Sequence, residues 1–174
     1  MALIVETGTG LANAESYVSV AAANAYHAKR ANTAWDALEP EIKEMALRRA
    51  TEYIEIMFHG RWKGLPSTST QALHWPRAWV YPDPAVLAAL PSDKIPAMLA
   101  NACAELATRA TDPASPLLTD EDPQVVASEA VGPISVAYAS SGTRQIRYTI
   151  VERMLAQLLD DSVTGMLQTT GALA

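Results

Sequence analysis

The sequence predicts a mainly α protein: a small bundle of about four helices with one β-hairpin or extended arm and flexible termini. Three observations lead there. Apolar residues recur at three- and four-residue steps over several stretches bounded by helix start and stop signals. Apolar residues make up 49% of the chain, many of them alanine and only one phenylalanine, so helices can approach closely around a real core. The alternation of apolar and polar residues that marks a strand is convincing in one place only.

Residues 1–18 read as irregular, with turn chemistry at Thr7-Gly8-Thr9-Gly10 and again from Asn13. Ser19 is a candidate N-cap for a first helix reaching Arg30. Trp35 and Leu38 can then pin a loop to the core. Pro40 sits where a missing N–H costs a helix nothing, and Ile42, Met45, Ala46, Ala50, Tyr53, Ile54 and Met57 form one apolar stripe that stops at Gly60. Residues 61–84, with Gly64, Pro66, Pro76, Pro82 and Pro84, predict a long ordered or semi-ordered loop, and length of that kind inside a domain points to function. Pro96 opens another helix with Leu99, Cys103, Leu106 and Ala110 on one face. Strand character follows: Val131, then Gly132-Pro133, then Ile134, Val136 and Tyr138 alternating with Ser135 and Ala137. The last helix carries a capping-box pattern, Thr149 to Glu152, and a stripe of Val151, Met154, Leu155, Leu158 and Leu159.

A chain of 174 residues fits a single domain. Its core is expected over about residues 16–160, with 1–15 and 161–174 extended and ordered by partners. The formal charge of -6 argues against a protein whose main business is gripping phosphates. One cysteine allows no disulfide framework and no thiolate metal cluster, which suits a reducing compartment. The N-terminus lacks the basic flank and long apolar run of a signal peptide, and no stretch approaches the roughly 20 apolar residues of a membrane span. A soluble protein of the cytoplasm, or of a particle built there, is expected.

Residues for chemistry do not gather into a motif. His27, His59 and His74 stand at no metal-ligand spacing from one another or from a carboxylate, so structural roles are expected for them. Cys103 lies among alanines and leucines on an apolar helix face, where burial raises a thiol pKa instead of activating it. Gly8-Thr9-Gly10 lacks the lysine and spacing of a phosphate loop, and no serine elbow is present. The expectation is therefore no catalytic residue, no metal and no cofactor: not an enzyme.

Two stretches stand out instead. From Ile56 to Pro82 this acidic chain has no acid, while Arg61, Lys63 and Arg77 mix with Trp62, Trp75, Trp79 and Tyr81. Cations interleaved with aromatics are what single-stranded nucleic acid requires, because bases stack on rings while cations meet phosphates. Tryptophans beside prolines also fasten loops to cores, so Arg61, Trp62, Lys63, Trp75 and Arg77 mark a loop that faces a partner or DNA or is simply tied down. The second stretch is the hairpin. Two strands alone are marginal in water, so Val131, Ile134, Val136 and Tyr138 are candidates for a subunit interface that adds a strand, or for a hairpin folded back on the helices.

Several stretches together carry a family resemblance: Glu15-Ser16-Tyr17-Val18-Ser19-Val20 with Ala25-Tyr26-His27, Ala46-Leu47-Arg48-Arg49-Ala50-Thr51-Glu52-Tyr53-Ile54, Arg61-Trp62-Lys63-Gly64, and Trp75-Pro76-Arg77. Ile95-Pro96, the 102–107 helix, and Val131-Gly132-Pro133-Ile134 with Tyr138 complete it. The pattern is similar to phage proteins catalogued as DnaT-like single-stranded-DNA-binding proteins, a family that in turn resembles head–tail connector (adaptor) proteins of long-tailed phages. The first resemblance implies single-stranded DNA binding. The second implies a structural virion protein in the head–tail neck, assembled in the host cytoplasm. Such a subunit forms a homo-oligomeric ring, commonly twelve-fold, that contacts the portal protein and a downstream stopper or tail-completion protein. Double-stranded DNA passes through the ring without specific recognition, no membrane is involved, and an acidic chain suits such a conduit better than it suits a binder.

Overall fold

A computed structural model describes residues 2–83, 85, 87–111, 117–118, 128–131, 134–137 and 148–160. The chain is mainly helical, as the periodicity predicts. Helix α1 (Val20–Ala28) starts where Ser19 accepts the Ala22 N–H at 3.1 Å, and the short α2 (Thr33–Asp36) starts at Asn32. Trp35 is fully buried there, its indole N–H donating to Asn24 at 2.8 Å. Helix α3 (Pro40–Met57) and helix α4 (Ala97–Arg109) form the central pair. Leu47, Tyr53 and Ile54 of α3 and Leu99 and Leu106 of α4 supply the large buried surface, each worth about 1.5–3 kcal/mol if fully removed from water. Ala46, Ala50, Ala102 and Ala107, equally buried, release less on burial and instead let the two backbones close up.

Helix α5 (Thr149–Leu155), continued by a 3-10 turn over Ala156–Leu158, packs on α4 through Val151 and Leu155. Thr149 falls inside the helix rather than at its cap, and Tyr148 in the cap position makes no side-chain cap bond. The packing of Val151 and Leu155 outweighs the capping signal in fixing where the helix begins. Two short antiparallel ladders complete the described structure: β1 (Leu65–Pro66) with β2 (Arg77–Ala78), and β3 (Ser128–Val131) with β4 (Ile134–Ala137). In the second, Val131 pairs with Ile134 and Glu129 with Val136, so the hairpin forms where the alternation predicts it. Among the described residues β3 and β4 pair only with each other. Tyr138 and residues 161–174 lie outside the described residues.

The N-terminal segment differs from expectation. It is extended, and the chain's own body holds it. Val5 bridges Ser16 in parallel fashion, and the Glu6 carboxylate, 2% exposed, accepts the N–H groups of Gly8, Gly10 and Leu11 at 2.7–3.0 Å. Gly8 lies against the backbone of Asp93, and the Leu11 carbonyl accepts the Ala72 N–H at 2.9 Å. The turn glycines read as looseness in the sequence; here they allow close backbone approach.

Candidate functional site: the 61–96 loop

The loop between α3 and α4 is ordered by both ends of the chain. Its first residues pair with the end of the last helix: Trp62 bridges Leu159, Lys63 N–H donates to Leu158 at 3.0 Å and Asp160 N–H to Arg61 at 2.7 Å. The N-terminal segment clamps its far side at Ala72 and Asp93. A polar cord runs beneath it. The Tyr17 hydroxyl donates to one oxygen of Glu55 and accepts from the Trp75 N–H at 3.3 Å, while the other oxygen of Glu55 accepts the His74 N–H at 2.9 Å. Burial, and then the Glu55 carboxylate, push the Tyr17 phenol well above its ordinary value, so it stays a donor.

The candidate residues separate into two groups. Trp62 and Trp75 are core, at 6% and 0% exposure, packed edge to face with ring centroids 6.0 Å apart. Arg77 is buried too. Its Nε and two terminal nitrogens donate to the carbonyls of Lys63, His74 and Gly64 at 2.7–3.2 Å, and burial lowers the guanidinium below its ordinary value. These three residues are buried and build the loop. Arg61 and Lys63 are half-buried: Arg61 lies over the Phe58 ring and the Lys63 ammonium donates to the Gln157 carbonyl at 3.1 Å. The outward groups are different ones. Trp79 is 65% exposed and holds φ at +57°, Tyr81 is 43% exposed, and Leu65 and Leu87 are 57% and 92% exposed. A non-glycine residue in the left-handed region carries strain, and here it accompanies an exposed ring.

Val131, Ile134 and Val136 occupy the β3–β4 ladder on the backbone, separate in sequence from this loop. Cys103 is fully buried, its thiol pushed up to about 11 by desolvation, with the Thr51 hydroxyl 3.3 Å from its sulfur. His27 is also interior, its ring on Trp35 and its Nε2 3.0 Å from the Ala104 carbonyl. One juxtaposition escapes sequence reasoning entirely: His59 and His74, fifteen residues apart, meet with Nδ1 and Nε2 3.0 Å apart. No spacing rule covers a pair that joins a helix end to the middle of a loop. Among the described residues no group of three or more His, Cys, Asp or Glu is placed to hold a metal, and no helix is long and apolar enough to cross a membrane.

These features define a mainly α protein whose signature segment is an aromatic loop, locked inside by Trp62, Trp75 and Arg77 and presenting Trp79 and Tyr81 outside. A family model with the description "Putative DnaT-like ssDNA binding protein" matches residues 1–171, and the chain belongs to that family. No curated protein and no solved structure matches it.

Proposed function

We propose that the chain is a non-catalytic assembly subunit, a head–tail connector of a tailed phage that forms a ring on a portal protein in the virion neck. The observation that supports this most is what the 61–96 loop leaves outside: Leu65, Trp79, Tyr81 and Leu87, four of the seven exposed large apolar residues among those described. Apolar groups gathered on one ordered segment fit a protein partner. Arg61, Lys63 and Arg77 are turned onto carbonyls and a ring of the chain itself, which leaves Lys94 as the exposed cation of the segment and little to meet phosphates. The net charge of -6 fits a surface that DNA slides past.

A second reading, single-stranded DNA binding, is favoured directly by the family description, and the comparisons speak for it more than for the connector. Its stacking platform here would be Trp79 and Tyr81, the exposed aromatics, rather than Trp62 and Trp75. One experiment separates the two. Fluorescence anisotropy with labelled oligo-dT, at low and at physiological salt, is run beside sedimentation of the protein alone and with purified portal. The connector reading expects no oligonucleotide binding at physiological salt and a ring or portal complex. Tight, steeply salt-dependent binding with no protein assembly would replace it by the second reading.

A further inference from the structure

The geometry points to a surface site for a late first-row divalent cation, Zn²⁺ by preference, with His59 Nδ1 and His74 Nε2 as its protein ligands. His59 follows the end of α3 at an exposed position, and His74 is half-buried in the loop. The two nitrogens converge to 3.0 Å at the edge of a pocket of about 200 Å³ lined by His59, Gly60, Trp62, His74 and Arg77. With Zn–N bonds of about 2.0–2.1 Å and tetrahedral angles, two histidine donors stand about 3.4 Å apart. An outward movement of about 0.4 Å by the exposed His59 ring, with the two rings turned by roughly 35° so that both lone pairs converge off the N···N line, admits the ion.

His74 is prepared for this from behind. Glu55 Oε2 lies 2.6 Å from His74 Nδ1, off the line of a straight hydrogen bond, and also accepts the His74 backbone N–H at 2.9 Å. The other Glu55 oxygen is fixed by the Tyr17 hydroxyl. A carboxylate beside Nδ1 favours the proton there, which leaves the Nε2 lone pair directed at His59. The carboxylate–histidine–metal arrangement works in this way, orienting the ring and raising its basicity. Without the ion, His59 donates its Nδ1 proton to that lone pair. With it, the His59 proton sits on Nε2 and both facing nitrogens become ligands.

The remaining coordination positions would be taken by water. Two imidazoles suit zinc, copper or nickel and do not suit magnesium or calcium. The Arg77 guanidinium in the same pocket opposes a cation, and Glu55 offsets it, so affinity falls below that of a closed four-ligand site.

This site is independent of whether the chain meets protein or DNA. The test is calorimetric titration of the full chain, free of any histidine tag, with Zn²⁺ in a non-chelating buffer. One saturable site per chain is expected, lost in His59→Ala and in His74→Ala. Glu55→Gln is expected to weaken it about 10–100-fold. His59 is exposed, so His59→Ala keeps its metal-free melting temperature and reports binding alone. No saturation up to millimolar Zn²⁺, or the same affinity in His59→Ala, overturns the assignment.

Discussion

The guanidinium of Arg77 donates to the carbonyls of Lys63, Gly64 and His74, closing the base of the loop where β1 and β2 pair. Removing it strands those acceptors. Arg77→Met should therefore lower unfolding free energy by about 2–4 kcal/mol, read as a drop in urea midpoint. Arg77→Lys should rescue little, because one ammonium on a flexible stem cannot reproduce a three-way planar fork. A DNA contact would behave oppositely: stability untouched, oligonucleotide affinity reduced. His27 gives a second prediction. Burial holds its pKa below the ordinary 6.5, outweighing the Ala104 carbonyl, which pulls upward. The unfolded chain thus takes up this proton at higher pH than the folded one. Its contribution is complete above about pH 6.5 and is lost as pH falls through the folded value. The stability difference between about pH 7.5 and about pH 5.5 should shrink in His27→Gln, and an unchanged slope would assign the pH dependence elsewhere.

At the scale of elements, the 61–96 loop is held by the N-terminal segment as much as by its own ladder. A Cβ at Gly8 would stand 2.1 Å from the Asp93 carbonyl oxygen, with φ at +106° already in the left-handed region. At Gly60 the φ is +72° but nothing lies within 4 Å. Gly60→Ala should then cost only the backbone term, about 1–2 kcal/mol. Gly8→Ala should cost more and also free the clamp, so limited proteolysis at residues 67–93 should accelerate in Gly8→Ala and not in Gly60→Ala. Equal protection in the two variants would show that the clamp is dispensable. This contrast also marks what was legible in sequence. The helices were, because Ala46, Ala50, Leu99 and Leu106 repeat at the helical period and packing follows period. The presence of strand at Val131 and Ile134 to Val136 was, because apolar and polar residues alternate there, but the register with residues 128–130 was not. The clamp was not: Thr7-Gly8-Thr9-Gly10 looks the same whether its glycines give slack or allow contact with a segment far along the chain. Nor was the division of the loop into inner and outer aromatics. Trp62, Trp75, Trp79 and Tyr81 share one composition, and only the pairing of residues 62 and 159 and the fork of Arg77 decide which rings turn in.

For the whole molecule the question is what its outward apolar loop meets, and salt discriminates between the candidates. Contacts made by Trp79 and Leu87 would be driven by burial of apolar surface, which added salt does not weaken. Contacts to a phosphate backbone release counterions and fall steeply with salt. Trp79→Gly combined with Leu87→Ser tests the protein-facing answer. Leu87 is 92% exposed, so its replacement should change folding stability by less than about 0.5 kcal/mol. At Trp79 relief of the +57° backbone offsets the entropy that glycine adds to the unfolded chain, leaving a net change within about 1 kcal/mol. The isolated variant should therefore melt close to the parent. Its self-association or portal binding, followed by sedimentation velocity over a concentration series, should collapse at both low and high salt. Assembly that survives the double substitution would move the interface off this loop. Assembly that is intact in the parent at low salt and vanishes at high salt would replace the apolar contact by charge pairing between chains.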